Sequence, residues 1–241
     1  YNMQALILAG GKGTRLLPYT AVLPKPLMPI GDMPILEIIL RQLKNSGFTS
    51  VILAVNYLSH MFELFFQDGE KLGLDIKYSF EDKPLGTAGP IANAIDLLQE
   101  DFLVMNGDLL TTLNYQKLFD NHINSDSSAT IAVHKRTVNI DYGVVNYNSD
   151  NSLVGYDEKP SLDFDVSMGI NVLKKSSIIS LIKKDKYLDI PDLMMKISKK
   201  NPKSVSCYKE KCEWLDMGRI DDYSVATELF EENRFLYLGE E

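Results

Sequence analysis

The sequence predicts an α/β fold of three layers, with a mixed, mostly parallel central sheet covered by helices on both faces. Three observations predict it. Short β-prone runs alternate with stretches of helical periodicity through residues 3–124, and turn residues separate one from the next. The runs MQALILA (3–9), SVILAV (50–55) and DFLVMN (101–106) are apolar at nearly every position, as strands buried on both faces must be.

The first strand is expected at 3–9, and further strands at 50–55, 74–80 (LDIKYSF) and 101–106. Between the first two, Leu36, Ile39, Leu40 and Leu43 fall at i, i+3, i+4 and i+7, with Pro34 suited to a first helical turn and Gly47 to a stop. Residues 88–98 and 114–124 read as helices by the same criterion. After residue 128 the pattern shifts to strands with fewer helices between them: 129–135, 142–148, 152–158 and 167–173. That half is expected to extend the sheet and build a lid or pocket wall. Helices return at 175–184, 190–199 and 219–234, the last with Ile220, Tyr223, Thr227 and Phe230 on one face. There is no internal repeat or linker, so residues 1–241 are expected to form one domain. Tyr1 is not an initiator residue, so residues 1 and 2 are expected to be a vector remnant or the end of an upstream segment.

The chain is 45% apolar, ample for a packed core. No apolar run approaches the roughly 20 residues that span a bilayer, and no export signal opens the chain, so a cytoplasmic protein with no membrane partner is expected. Cys207 and Cys212 have no His or Cys pair nearby to complete a zinc site and are expected to be reduced thiols. The net charge is −8 with the lysines and arginines scattered, so no face is expected to follow a nucleic-acid backbone. A homo-oligomer is compatible with all of this. His60, His122 and His134 are scattered along the chain and are expected to be structural or at the surface.

The first strand runs into LAGGKGTRL (8–16), three glycines in four positions. A strand followed by such a loop suits a phosphate, because free backbone N–H groups converge on an anion. The P-loop pattern fails, since Leu6 stands where its first glycine belongs and Gly13 follows Lys12. The dinucleotide pattern fails as well, because Leu16 occupies its third glycine. A second element, LPKPLMPIGDMPIL (23–36), fixes Lys25 between Pro24 and Pro26, a stiff arm that holds a cation in place. Together the two suit a triphosphate, with backbone N–H groups from the glycines, Lys12 and Arg15 at the outer phosphates, and Lys25 from across the site.

With PLGTAGP (84–90), NGD (106–108), YGVV (142–145), EKP (158–160), GIN (169–171) and WLDMGRIDDY (214–223) following in order, the chain resembles the sugar-1-phosphate nucleotidyltransferases. Among the branches of that family, its motif pattern most resembles the mannose-1-phosphate guanylyltransferase-like one. The resemblance covers residues 3–230 and implies a Rossmann-like three-layer nucleotidyltransferase fold. It implies transfer of a nucleotidyl group from an NTP to a sugar 1-phosphate, with release of pyrophosphate. A uridylyl- or thymidylyltransferase, or a non-catalytic sensor of NDP-sugars, is the alternative.

The resemblance implies catalytic roles for Arg15 and Lys25. It implies nucleotide contacts from Leu8, Ala9, Gly10, Gly11, Lys12, Gly13, Thr14, Glu81, Pro84, Leu85, Gly86, Thr87, Asn106 and Gly107. Mg²⁺ is the expected cofactor, held by Asp108 and Asp216, with phosphates and water completing its shell. Each aspartate alone could instead be a helix cap. The sugar phosphate is expected at Gly143, Glu158, Lys159 and Asn171. GTP is the expected nucleotide, because a carboxylate at Glu81 can accept from both N1–H and the exocyclic amine of guanine, a pair that uracil and thymine lack. The sugar itself stays open among mannose, manno-heptose and amino-sugar 1-phosphates. No hexapeptide β-helix follows the WLDMGR element, so no acetyltransferase or trimerising solenoid is expected within the chain.

Overall fold

A computed structural model describes residues 2–11, 13, 14 and 17–239. The strands in chain order are β1 Met3–Leu8, β2 Pro29–Ile30, β3 Met33–Pro34, β4 Phe48–Val55, β5 Asp75–Phe80, β6 Asp101–Asn106, β7 Leu109–Thr111, β8 Ala129–Asn139, β9 Val144–Tyr147, β10 Leu153–Asp157, β11 Ser161–Lys174, β12 Val205–Lys209 and β13 Trp214–Asp216. The helices are α1 Ile35–Asn45, α2 Ser59–Phe66, α3 Gly89–Ala94, α4 Tyr115–Ser125, α5 Lys175–Ile178, α6 Ile190–Lys200, α7 Ile220–Glu232 and α8 Arg234–Leu238.

Seven strands form one sheet in the order β12-β8-β11-β6-β1-β4-β5. Strand β11 runs antiparallel to both of its neighbours, and the other four pairings are parallel. The expected mixed, mostly parallel sheet is therefore present. Alternate residues of each central strand feed opposite layers. Ala5, Ile7, Val51, Leu53, Leu103 and Met105 pack with α1, α2, α4, α7 and α8. Leu6, Ile52, Ala54, Phe102 and Val104 pack with α3, α5 and α6 on the other face.

Helix α1 shows what holds these layers. Its N-terminus has no side-chain cap, which forgoes about 1 kcal/mol. Six apolar side chains, Ile35, Leu36, Ile38, Ile39, Leu40 and Leu43, are buried, each contributing about 1.5–3 kcal/mol. Packing wins over capping by a wide margin. Pro34 sits one residue outside the helix, as its N-cap.

Several elements differ from expectation. The helix expected at 88–98 is a short α3 followed by a 3₁₀ turn at Ile95–Leu97, and that expected at 175–184 stops at Ile178. The strand expected at 167–173 is the end of the 14-residue β11, which pairs with β8 from Asn139 to Ala129 with a break in register between Ser167 and Asn171. On α7 the inward residues are Asp222, Ala226 and Phe230, and Ile220 is 66% exposed, so the expected face is rotated. The expected helix at 219–234 is two helices, α7 and α8. Strands β7, β12 and β13 and helix α2 were not legible.

The histidines match their structural reading. His122 is buried under β8, with Nδ1 2.8 Å from Thr130 Oγ1 and Nε2 3.3 Å from Asp101 Oδ1. This hydroxyl, imidazole and carboxylate line resembles a hydrolytic triad, yet Thr130 is wholly buried and no substrate can reach it. Burial pushes the His122 pKa below its ordinary value, outweighing the raising effect of Asp101. The unfolded chain then binds more protons below about pH 6.5, so this contribution to stability is lost as pH falls through that range. Urea midpoints measured from pH 7.5 to 5 should fall, and His122→Asn should flatten the part of the slope between pH 6.5 and 5.

Candidate active site

The site forms where parallel strands end. Leu8 is in register with Asn106 of β6 and Ala54 of β4, so the carboxyl ends of three strands lie side by side, the usual place for a ligand in such a sheet. Two backbone bonds continue the alignment past the strand ends, from Ala9 N–H to Ala54 O at 2.8 Å and from Gly107 N–H to Leu8 O at 3.0 Å. The glycine loop leaves from this point.

A cavity of about 460 Å³ opens beside the loop. Of the residues expected at the nucleotide, Leu8, Ala9, Gly10, Gly11, Glu81, Pro84, Leu85, Gly86, Thr87 and Asn106 line it, together with Lys25 and Asp108. Gly13 and Thr14 lie further along the loop, where Thr20 Oγ1 donates to Gly13 O at 2.7 Å. Gly107 packs against Ile7 and Pro26. Lys12 and Arg15 lie outside the described residues.

Glu81 follows the last residue of β5 and is tied by its N–H to Val55 O at 3.0 Å. Its Oε2 stands 2.9 Å from where a Cβ on Gly10 would be, so the bare backbone at position 10 gives the carboxylate room beside the loop. Oε1 is buried and, among the described residues, has no hydrogen-bond partner. Burial pushes the Glu81 pKa up to about 7.

Lys25 opens a 3₁₀ turn, Lys25–Leu27, held by Leu27 N–H to Pro24 O at 2.9 Å and Met28 N–H to Lys25 O at 3.0 Å. Its ammonium pairs with Asp108 Oδ2, both side chains being mostly buried. Asp216 joins them although it lies 108 positions after Asp108 in sequence. Strand β13 pairs antiparallel with β7, placing Asp216 opposite Leu109, and Met217 N–H donates to Asp108 O at 2.9 Å. A Cβ on Gly218 would lie 3.0 Å from Asp216 Oδ1 and 3.1 Å from Lys25 Nζ, so the ammonium also neighbours the second carboxylate. Buried Asp222 steadies this corner by accepting from Asp216 N–H at 3.0 Å.

Asp216 also lines a second cavity of about 270 Å³, with Asn171, Ser167, Met168, Gly169 and Trp214. Leu8, Thr87 and Asn106 belong to both cavities. Asn171 is buried, and its Oδ1 is again an acceptor with no partner among the described residues. Gly143, Glu158 and Lys159 lie on the separate β9–β10 hairpin, and the lining of neither cavity includes them. Glu158 and Lys159 are exposed.

Some lining residues were missed. Ala54 and Pro90 gave no chemical signal, and Tyr187 and Asp189 come from a segment with no motif that only the fold brings to the glycine-rich 84–90 turn. Among the described residues, no helix is long and apolar enough to cross a membrane.

The chain is similar to known proteins over most of its length. A family model described as "Nucleotidyl transferase" matches residues 4–233. A UTP–glucose-1-phosphate uridylyltransferase of Synechocystis sp. is 31% identical over 240 residues, covering 92% of this chain, and the chain spans 61% of that relative's length. A D-glycero-alpha-D-manno-heptose 1-phosphate guanylyltransferase of Campylobacter jejuni is 39% identical over 157 residues, 65% of this chain and 69% of that one. The solved structure of HddC from Yersinia pseudotuberculosis complexed with GMP-PN superposes with a TM-score of 0.72 at 25% identity, covering 95% of this chain and 99% of that one. With the strand-end cavity, the glycine loop and the matched span in agreement, the chain belongs to the nucleotidyl transferase family.

Proposed function

We propose that the chain transfers a nucleotidyl group from an NTP to a sugar 1-phosphate, releasing pyrophosphate, with residues 1–241 acting as one catalytic domain. One observation carries the reading: two cavities share Leu8, Thr87 and Asn106, each holds a buried acceptor without a partner among the described residues, and Asp108 of the larger and Asp216 of the smaller both neighbour the Lys25 ammonium. Two ligands in two adjoining cavities, with charge of both signs at the seam, is the arrangement that joining two phosphate esters requires.

The nucleotide fits the larger cavity, its phosphates against the backbone of Gly10 and Gly11 with Arg15 and Lys12 supplied by the same loop. The sugar phosphate fits the smaller one, with Asn171 meeting a hydroxyl and Gly143, Glu158 and Lys159 on the hairpin beyond. A sugar phosphate is largely dianionic at neutral pH, its second pKa being near 6. One of its oxygens can therefore attack the α-phosphorus without a basic side chain. A bond forms from that oxygen to the α-phosphorus, the bond to the bridging oxygen breaks, and pyrophosphate leaves with the electron pair. The protein aligns the reactants and neutralises charge through Lys25 and Arg15.

The donor set at the seam fits a hard divalent cation. Asp108 and Asp216 offer carboxylate oxygens and, among the described residues, no cluster of three His, Cys, Asp or Glu groups encloses a metal. That leaves most of a coordination shell to phosphates and water, as Mg²⁺ prefers. When bound there, Mg²⁺ would supply charge neutralisation at the phosphates. Purified protein assayed for pyrophosphate release with each NTP against a panel of sugar 1-phosphates tests the reading. NDP-sugar formed with one pair supports it, and nucleotide binding without turnover for any pair favours a sensor instead.

GTP is the favoured nucleotide on the strength of Glu81. Gln at this position would leave one guanine donor facing an NH₂ group, and an unmatched buried donor costs about 1–3 kcal/mol, so the preference for GTP over UTP should fall about 5- to 150-fold. Protonated Glu81 cannot accept twice, so binding guanine below pH 7 requires a proton to leave. The GTP KM should rise by up to about tenfold per pH unit below 7, the UTP KM should not, and Glu81→Gln should abolish the dependence. The uridylyl relative makes UTP the competitor to include. A GTP:UTP ratio unmoved by Glu81→Gln would assign base selection to the backbone of Leu85 to Thr87.

A further inference from the structure

Asp189 stands at the N-cap of α6, where an aspartate ordinarily accepts from the backbone of its own helix. Here it does not. Its Oδ1 reaches across to the 84–90 turn and accepts from Thr87 N–H at 3.0 Å and Thr87 Oγ1 at 3.3 Å, while Tyr187 OH donates to Oδ2 at 2.8 Å. Thr87 in return accepts from Ile190 N–H at 2.8 Å through Oγ1, satisfying the first backbone donor of α6. The backbone completes the exchange: Ala88 and Gly89 N–H both donate to Leu188 O, at 2.8 and 3.0 Å, and Leu188 N–H donates to Leu85 O at 3.0 Å. Gly86 has φ +78°, and a Cβ there would lie 2.6 Å from Leu188 O and 2.7 Å from Asp189 Oδ1, so the two segments touch as closely as bare backbone allows.

We infer that Asp189 is a positioning residue for the nucleotide cavity, holding the Leu85–Thr87 backbone where it meets the base; this rests on the nucleotide reading above. The clasp sits on the seam between substrates. Asp189 and Tyr187 line the larger cavity, Ile190 and Pro191 the smaller, and Thr87 both. A displaced turn would shift the wall of the larger cavity, while Lys25, Asp108 and Asp216, held by other elements, stay in place.

Direct binding of GTP and of UTP, each with Mg²⁺, measured by calorimetry, separates the possibilities. Hydrogen bonds to a charged group are worth about 1.5–3 kcal/mol, so Asp189→Ala should weaken the better-bound nucleotide about tenfold or more. In turnover, the NTP KM should rise with kcat far less affected. Asp189→Asn keeps an oxygen facing Thr87 and should restore binding. Thr87→Val, which loses the Oγ1 contacts, should weaken binding and serves if Asp189→Ala does not fold. Wild-type affinity in Asp189→Ala, even with a lowered melting temperature, would show the clasp to be structural only and overturn the inference. Equal loss in Asp189→Asn and Asp189→Ala would mean that the charge itself contacts ligand, which also overturns it. If the wild-type chain binds neither nucleotide, the nucleotide reading falls and the clasp with it.

Discussion

Asp108→Ala and Asp216→Ala are each expected to lower turnover by about 10³-fold or more, since cation-borne charge neutralisation is worth several kcal/mol and each 1.4 kcal/mol is tenfold. Each variant removes one of the two carboxylates at the seam. Asp108→Ala also leaves Lys25 without its ion-pair partner. The fold should survive, because Asp108 and Asp216 lie at strand ends facing cavities while the sheet is held by the apolar layers on its faces. Circular dichroism should be unchanged, and the Mg²⁺ concentration for half-maximal rate should rise in whatever activity remains. Normal pyrophosphate release by either variant at saturating Mg²⁺ would remove both residues from the site.

Lys25→Ala should lower kcat by about 10²- to 10³-fold, the scale on which one preorganised charge-stabilising donor acts. The Pro24-Lys25-Pro26 turn makes the ammonium a fixed charge, and fixed charge is what a transition state with developing negative charge rewards. An unchanged kcat with a raised KM would instead mean that Lys25 binds ground-state phosphate. Because Lys25 and Asp108 act as a pair, their effects should not add: the double Ala variant should be little worse than the poorer single variant.

The parts of the fold read most directly from sequence are those with long apolar signals. Strands β1, β4 and β6 announce themselves because both of their faces are buried, and α1 because its inward stripe is nearly unbroken. Strand β13 escaped because three residues carry no periodicity, and β12 because VSCYK lies at a sheet edge with only Val205 and Tyr208 packed against the apolar layers. On α7 the apolar spacing misled: Asp222 turns inward because it serves Asp216 and Arg136, a polar demand that periodicity of apolar residues cannot reveal.

The site divides the same way. Residues in local motifs, such as the glycine loop, Lys25 and the 84–87 turn, were legible because a loop must carry its own chemistry. The meeting of Asp108 with Asp216 depended on a resemblance, since nothing local links residues on opposite sides of the β7–β13 pairing. Asp189 was not legible at all. Its aspartate before a helix reads as an ordinary cap, and only the fold shows that the carboxylate has turned to Thr87.

The central claim, attack of a sugar-phosphate oxygen on the α-phosphorus of the nucleotide, can be followed with one isotope. A sugar 1-phosphate carrying ¹⁸O in its phosphoryl oxygens is incubated with GTP, Mg²⁺ and the protein, and both products are weighed by mass spectrometry. The account predicts that every labelled oxygen is retained in the NDP-sugar and that the pyrophosphate is unlabelled. Label in the pyrophosphate, or pyrophosphate released with no NDP-sugar formed, would contradict it.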